Sequence, residues 1–251
     1  MQTVKEIFEY LCEFAPLEKQ MDFDNSGFLV GRQDAEVKKV LLSLDVTGDV
    51  VDEAAEGGYE LIISHHPVIF NAIKSVTDEK LMKLMENKIA VISMHTNLDI
   101  TEGGVNDVLL NVLGAVRDGY LDDECCGRTG HFDVPISLSF FLELCKKKLY
   151  ANGLRYYDAG RPVKNIAVLG GAGGDELEEA ISKGCDTYLT SDIKYHEFLL
   201  AQEKGINLVD GDHFGTENPV IDRLCQKLSE QFPEIVFHKS SRHDAVIQFF
   251  C

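Results

Sequence analysis

ELIISHHPVIF occupies residues 60–70, and its reading decides the fold. Glu60 to Ser64 is an apolar run of strand length, and it delivers two adjacent histidines, His65 and His66, to its end. Pro67 then stops the strand and fixes the turn, so both imidazoles are held at the sheet edge. On either side the same grammar repeats. Lys39 to Asp45 reads as a strand, Thr47 to Glu56 as a helix ended by Gly57-Gly58, and Thr77 to Asn87 as a helix. Ile89 to Met94 is another apolar strand and Val105 to Leu113 another helix. Strand, helix, strand, helix, strand is the order of a parallel α/β sheet. An amphipathic helix over Thr3 to Phe14, with Thr3 as its N-cap, comes first.

Residues 114–130 are polar and read as a boundary. Leu138 to Leu149 is a helix, and the grammar then restarts. Asn165 to Leu169 is a strand, Gly170 to Gly174 a glycine-rich turn, Asp175 to Lys183 a helix and Asp186 to Thr190 a strand. Lys194 to Lys204 is helical, Asn207 to Val209 a short strand, and Glu217 to Gln231 a helix. Ile235 to His238 and Ala245 to Phe250 are candidate C-terminal strands. The two stretches align without gaps: Val40-Leu41-Leu42 on Ile166-Ala167-Val168, Glu53-Ala54 on Glu179-Ala180, Gly58 on Gly184, Ser64 on Thr190. That is the pattern of an internal duplication. His65 and His66 then correspond to Ser191 and Asp192.

The 251 residues suffice for one large domain or two modest ones, and at 45% hydrophobic each would have a core. A formal charge of −18 repels phosphate backbones and disfavours nucleic acid as a partner. No apolar stretch has the length of a membrane span. The start, MQTVKEIFEYLCEF, is charged early and lacks a signal-peptide core, so a cytoplasmic protein is expected. The seven cysteines, Cys12, Cys125, Cys126, Cys145, Cys185, Cys225 and Cys251, include no CxxC pair and read as reduced, small buried hydrophobes.

In open α/β sheets ligands bind at the carboxyl ends of strands. Four such ends carry metal-competent groups: His65 and His66; HTNLD with His95 and Asp99; TSDIKYH with Asp192 and His196; and GDHFGTE with Asp212, His213 and Glu217. Five of the eight histidines lie there, more than scatter would place. Imidazole nitrogen and carboxylate oxygen suit zinc, manganese, iron, cobalt or nickel. Adjacent histidines leaving a strand point in different directions, so His65 and His66 could serve two ions. The bland alternative makes each segment a turn or a helix cap. Gly170-Gly171-Ala172-Gly173-Gly174 has the position of a phosphate-binding turn but lacks the GK[ST] and GxGxxG endings, and reads first as a tight turn with close helix packing.

ISHHPVIF, MHTNLD, GGAGG, TSDIKYHE and GDHFGTE, in that order, together with DNSGFLVG and LDVT, resemble the dinuclear-metal-centre family labelled GTP cyclohydrolase 1 type 2 homologues. The resemblance covers nearly the whole chain. It implies two similar three-layer α/β lobes, the second inserted in the first: 1–126 plus 214–251 as the outer lobe and 127–213 as the inserted one. It implies a toroidal homohexamer and two divalent metal ions per chain, held by His65, His66, Asp99, His213 and Glu217. His95 and His196 match polar positions near the centre, as candidate catalytic residues. The family usually has a glycine where Asp212 stands and T-G-E where this chain has Thr190-Ser191-Asp192, which alters the wall of the site but removes no ligand.

Two functions follow. The first is a metal-dependent hydrolase of a small molecule, with His95 or His196 as acid, base or orienter. The alternative is a non-catalytic metal-binding or regulatory scaffold.

Overall fold

Val40, Leu41 and Leu42 pair in parallel with Leu61, Ile62 and Ile63, and these pair with Ala90, Val91 and Ile92. Such runs are buried on both faces, which is why they are continuous rather than alternating. The sheet is five-stranded, in the order Gly27–Val30, Ala90–Ser93, Leu61–Ser64, Lys39–Ser43, Val236–Lys239. Only Gly27–Val30 is antiparallel to its neighbour. Leu41, Ile62 and Val91 face helices Gly48–Gly57 and Glu79–Glu86, through Val50, Val51, Ala54, Leu81 and Leu84. The alternate residues Val40, Leu42, Leu61, Ile63 and Ile92 are equally buried on the other face. Helix Val4–Phe14 starts from Thr3 with a reciprocal cap to Glu6, and Gly58 at φ 65 ends Gly48–Gly57.

The second sheet has six strands, in the order Val116–Tyr120, Arg128–Ile136, Val163–Ala172, Thr187–Ser191, Asn207–Asp210, Arg155–Tyr157. One face packs on helices Val105–Val112 and Leu138–Lys148 through Leu109, Leu110, Phe141 and Cys145. The other packs on Leu177–Ser182 and Tyr195–Lys204 through Leu177, Ala180 and Ala201. This is a three-layer α/β unit. Its registers repeat those of the first sheet. Val40 opposite Leu61 becomes Ile166 opposite Thr187, and Leu42 opposite Ile63 becomes Val168 opposite Leu189, at an offset of 126. Ser64 opposite Ser93 becomes Thr190 opposite Asp210, the third strand being offset by 117. An antiparallel edge strand closes both, with Gly27 opposite Ser93 and Arg155 opposite Asp210. The aligned duplication is therefore also a duplication of strand order and register.

The structure, a computed structural model, describes residues 2–124 and 126–250, so Cys125 and Cys251 lie outside the described residues. Its compact units are Met1–Thr101 with Ile221–Asp244, and Glu102–Val220 with Ala245–Cys251. Residues 102–220 of the second are inserted in the first and 245–251 follow it, so the expected breaks at 126 and 214 fall instead at 101 and 220. Helix Val105–Val112 is the reason at the first break: it buries Leu109 and Leu110 in the core of the second sheet. The polar stretch expected to be a boundary is instead the strand pair Val116–Tyr120 and Arg128–Ile136. The helix expected from Glu217 is two helices, His213–Glu217 and Pro219–Gln231, because Pro219 has no N–H to continue the first. Residues 245–250 form no strand; Val246 and Phe250 are exposed, and the segment meets the second unit through Phe249 on Gly153 and Asn152 on the Ile247 carbonyl. Cys145 and Cys185 are buried free thiols, and burial pushes Cys185 up to about 12. Among the described residues no helix is long and apolar enough to cross a membrane.

Candidate metal centre

In the first unit, strand Leu61–Ser64 ends at His65 and His66, and the neighbouring strand Ala90–Ser93 ends at His95, which opens the five-residue helix Thr96–Ile100. The three imidazoles cluster, with ring centroids 5.0, 5.1 and 5.5 Å apart. One nitrogen from each ring lies within 4.8 Å of the others. Every Nδ1 is engaged: His65 with the Met94 carbonyl at 2.8 Å, His66 with Asp45 Oδ1 at 2.6 Å, His95 with Asp24 Oδ1 at 2.8 Å. A carbonyl or carboxylate only accepts, so Nδ1 carries the proton and Nε2 is the donor nitrogen, as in histidines that bind metals. His65 turns its Nε2 to Asp99 Oδ1 at 3.6 Å. His65 is fully buried, while His66, His95 and Asp99 are part-buried.

The two orienting carboxylates are anchored. Asp24 accepts from Ser26 Oγ at 2.8 Å and from the Thr96 amide at 3.0 Å. Burial alone would raise its carboxyl; the hydrogen bonds from His95, Thr96 and Ser26 outweigh that and hold it well below the carboxylate range. Asp45 behaves alike: burial raises it, and His243 and His66 more than reverse the effect.

In the second unit, His213 and Glu217 share the five-residue helix His213–Glu217, one turn apart, with Nε2 to Oε2 at 3.1 Å. His213 Nδ1 is held by Asp192 Oδ2 at 2.7 Å, so the pattern of an engaged Nδ1 recurs. Glu217 is buried. Its space is made by Gly171 (φ 73), where an added Cβ would run into the Glu217 carboxylate. The Gly171 amide donates to Thr216 Oγ1 at 3.0 Å, and the Gly170 amide to Asn106 Oδ1 at 2.8 Å. Cβ atoms at Gly173 and Gly174 would meet the Thr190 hydroxyl, Tyr188 and Glu197. The glycine run thus serves close packing, as the turn reading expected. Asp192 (φ 53) and Asp212 (φ 68) are non-glycine residues in left-handed backbone, and such outliers gather at functional sites. Burial raises the Asp212 carboxyl, against the pull of the nearby Gly215 amide.

His65, His66, His95 and Asp99 therefore stand together in one unit, and His213 with Glu217 in the other. His196 joins neither group. It lies on helix Tyr195–Lys204 with 71% of its side chain exposed, 3.9 Å from Glu197 of the same helix. Sequence reasoning missed the orienting roles of Asp24, Asp45 and Asp192. Asp45 lies two residues past strand Lys39–Ser43, and Asp24 lies in DNSG, so the strand-end rule and the quoted segments contained the signal.

The Duf34/NIF3 (NGG1p interacting factor 3) family pattern matches residues 2–244. A Clostridium acetobutylicum protein named GTP cyclohydrolase 1 type 2 homolog is 34% identical, over 90% of this chain and 89% of its own length. A Helicobacter pylori protein named GTP cyclohydrolase 1 type 2 is 32% identical, over 86% of this chain and 88% of its own. The crystal structure of a Staphylococcus aureus hypothetical protein superposes with a TM-score of 0.90 at 28% identity, covering 99% of both chains.

Proposed function

This chain belongs to the Duf34/NIF3 family, and from that premise we propose that it is a metal-dependent hydrolase with two divalent ions, held by His65, His66, Asp99, His213 and Glu217. The observation that carries the reading is that His65, His66, His95 and His213 all have Nδ1 committed to a carbonyl or carboxylate. That fixes the ring and the tautomer before any ion arrives, and it raises the basicity of the coordinating nitrogen. The donor set, neutral imidazole with carboxylate and no thiolate, fits zinc, manganese, iron, cobalt or nickel.

When bound, such ions would supply Lewis-acid polarisation of a scissile bond and a water acidic enough to attack at neutral pH. The chain's own part is positional. Asp45 and Asp192 hold His66 and His213 in one ring orientation. His95, with its Nδ1 proton tied to Asp24, is the group to take up or deliver a proton at Nε2. His196 has no role in this reading, given its exposure. The relatives' names point to GTP; only the hydrolase class is carried over here. The same resemblance supports a ring of six copies, which light scattering tests directly.

The deciding experiment counts metal in untagged protein purified without chelator. About two transition-metal ions per chain are expected, the complement of a two-metal hydrolase. Well under one per chain, not restored by adding any of the five metals, rejects the reading in favour of the non-catalytic scaffold. With metal present, His95→Ala should lose hydrolysis about a hundredfold or more while retaining the ions.

A further inference from the structure

Beside the three-histidine cluster of the first unit stand two phenylalanines that the metal reading does not use. Phe23 is 68% exposed and Phe70 44% exposed. Their ring centroids are 6.5 Å apart with planes inclined at 47°, and Phe70 stands edge-on to the His95 ring at 6.2 Å. An isolated exposed phenylalanine needs no explanation. Two in contact, continuous with a polar cluster, form an apolar wall on a strongly acidic protein, and such a wall marks a binding surface.

The pair is also held in place. Phe23 precedes Asp24, whose carboxylate binds His95, Ser26 and Thr96. Phe70 follows Ile69, whose carbonyl accepts from Asn25 Nδ2 at 2.6 Å. The Asp24 bond that orients His95 and the Asn25 bond to the Ile69 carbonyl thus hold the segments next to the two rings, both of which stay exposed. Rings inclined in this way, within the 4.5–7 Å range of aromatic pairing, can each offer a face or edge to a third ring.

We infer that Phe23 and Phe70 form a clamp for a planar aromatic ring, so that the substrate class of this site is an aryl or heteroaryl compound with its reacting group directed at the histidines. The inference rests on the metal-hydrolase reading. Stacking on an aromatic side chain favours a planar π-system over a saturated ring of equal size and charge. Apolar burial alone would not distinguish them.

The chain contains no tryptophan, so F70W would introduce a single indole reporter at the clamp. Zinc-loaded F70W is titrated with phenyl phosphate and, separately, cyclohexyl phosphate, with zinc counted in the same sample. Phenyl phosphate is expected to change the emission and bind at least about fivefold more tightly, and F23A in that background should reduce the preference to less than about twofold. F23W gives the same readout from the other ring should F70W misfold. Equal affinities at full zinc occupancy overturn the aromatic clamp and leave the metal reading standing. Failure to bind zinc removes both. Emission that shifts on dilution, with no response to either probe, also overturns the clamp, by assigning the pair to a contact between copies.

Discussion

Asp45 and Gly171 share the offset of 126, but the first strand has ended at Ser43 whereas the second runs on through a register shift to Ala172. In the first unit the residue there is a carboxylate that orients His66. In the second it is a glycine, and the room it leaves is taken by the carboxylate of Glu217, arriving from a helix. The next strand end inverts the roles again: His66 corresponds to Asp192, which is not an imidazole but the orienter of one, His213. The two five-residue helices match too, Thr96–Ile100 against His213–Glu217 at the offset of 117. His95 and Asp99 are spaced four apart, and so are His213 and Glu217, but the second pair is displaced by one residue along its helix. One residue turns a side chain by about 100°. A repeated scaffold thus fixes where chemistry can be placed, while single substitutions decide whether a position supplies a donor, an orienter or space.

The sharpest way to break this comparison is to remove donors in one unit and an orienter in the other. His65→Ala with His66→Ala should lower metal affinity by well over a hundredfold with the circular dichroism unchanged, since donors exceed the 10–100-fold typical of orienting partners. Asp192→Asn should cost about tenfold. Equal losses would dissolve the distinction between donor and orienter. Gly171→Ala comes next. It places a Cβ against Glu217 at φ 73, and should lower stability by about 2 kcal/mol in urea unfolding of the metal-free protein. An unchanged midpoint would mean that Glu217 does not need that space.

Asp212 carries a strained φ of 68 and a carboxyl that burial raises. Asp212→Ala keeps the strain, whereas Asp212→Gly relieves it. The glycine variant should therefore be more stable than the alanine one by about 1–2 kcal/mol, which thermal melts compare directly. Glu53 and Glu179 are the smallest test. They are equivalent by sequence, but Glu53 accepts from Ser240, Ser241 and Arg242, whereas the Glu179 carboxylate accepts from Ser182 on its own helix. Glu53→Gln should cost about 1 kcal/mol at neutral pH and Glu179→Gln nothing measurable. Burial works against it, but those hydrogen bonds hold the Glu53 carboxyl below its usual range. A depressed folded value means that the contribution is present above the unfolded pKa and fades as pH falls through the folded one. The gap between wild type and Glu53→Gln should accordingly close in acid; a gap that widens would contradict the assignment.

The strands that carry His65, His66 and His95 were legible because buried parallel strands are short, uninterrupted apolar runs. The pair Val116–Tyr120 and Arg128–Ile136 was not, because residues such as Arg117, Asp118, Asp133 and Pro135 give it no such run, and its partners are long-range. His196 misled because TSDIKYH was read as one strand end, whereas Tyr195 already begins a helix and carries His196 onto an exposed turn. Asp24 and Asp45 were visible as letters in quoted segments, but their role depends on which ring nitrogen they meet, and that is a fact of geometry.

Helices Thr96–Ile100 and His213–Glu217 are five residues each, far below the length at which a helix holds itself together in water. Their order is lent by side chains that brace them, Asp24 on the Thr96 amide and Thr216 on the His213 carbonyl. In amide hydrogen exchange these two turns should open more readily than the strands beneath them and exchange long before those strands. A ligand that grips Asp99 or Glu217 would then be read less as a shift in global unfolding than as selective protection of ten amides, a local folding reaction driven by binding.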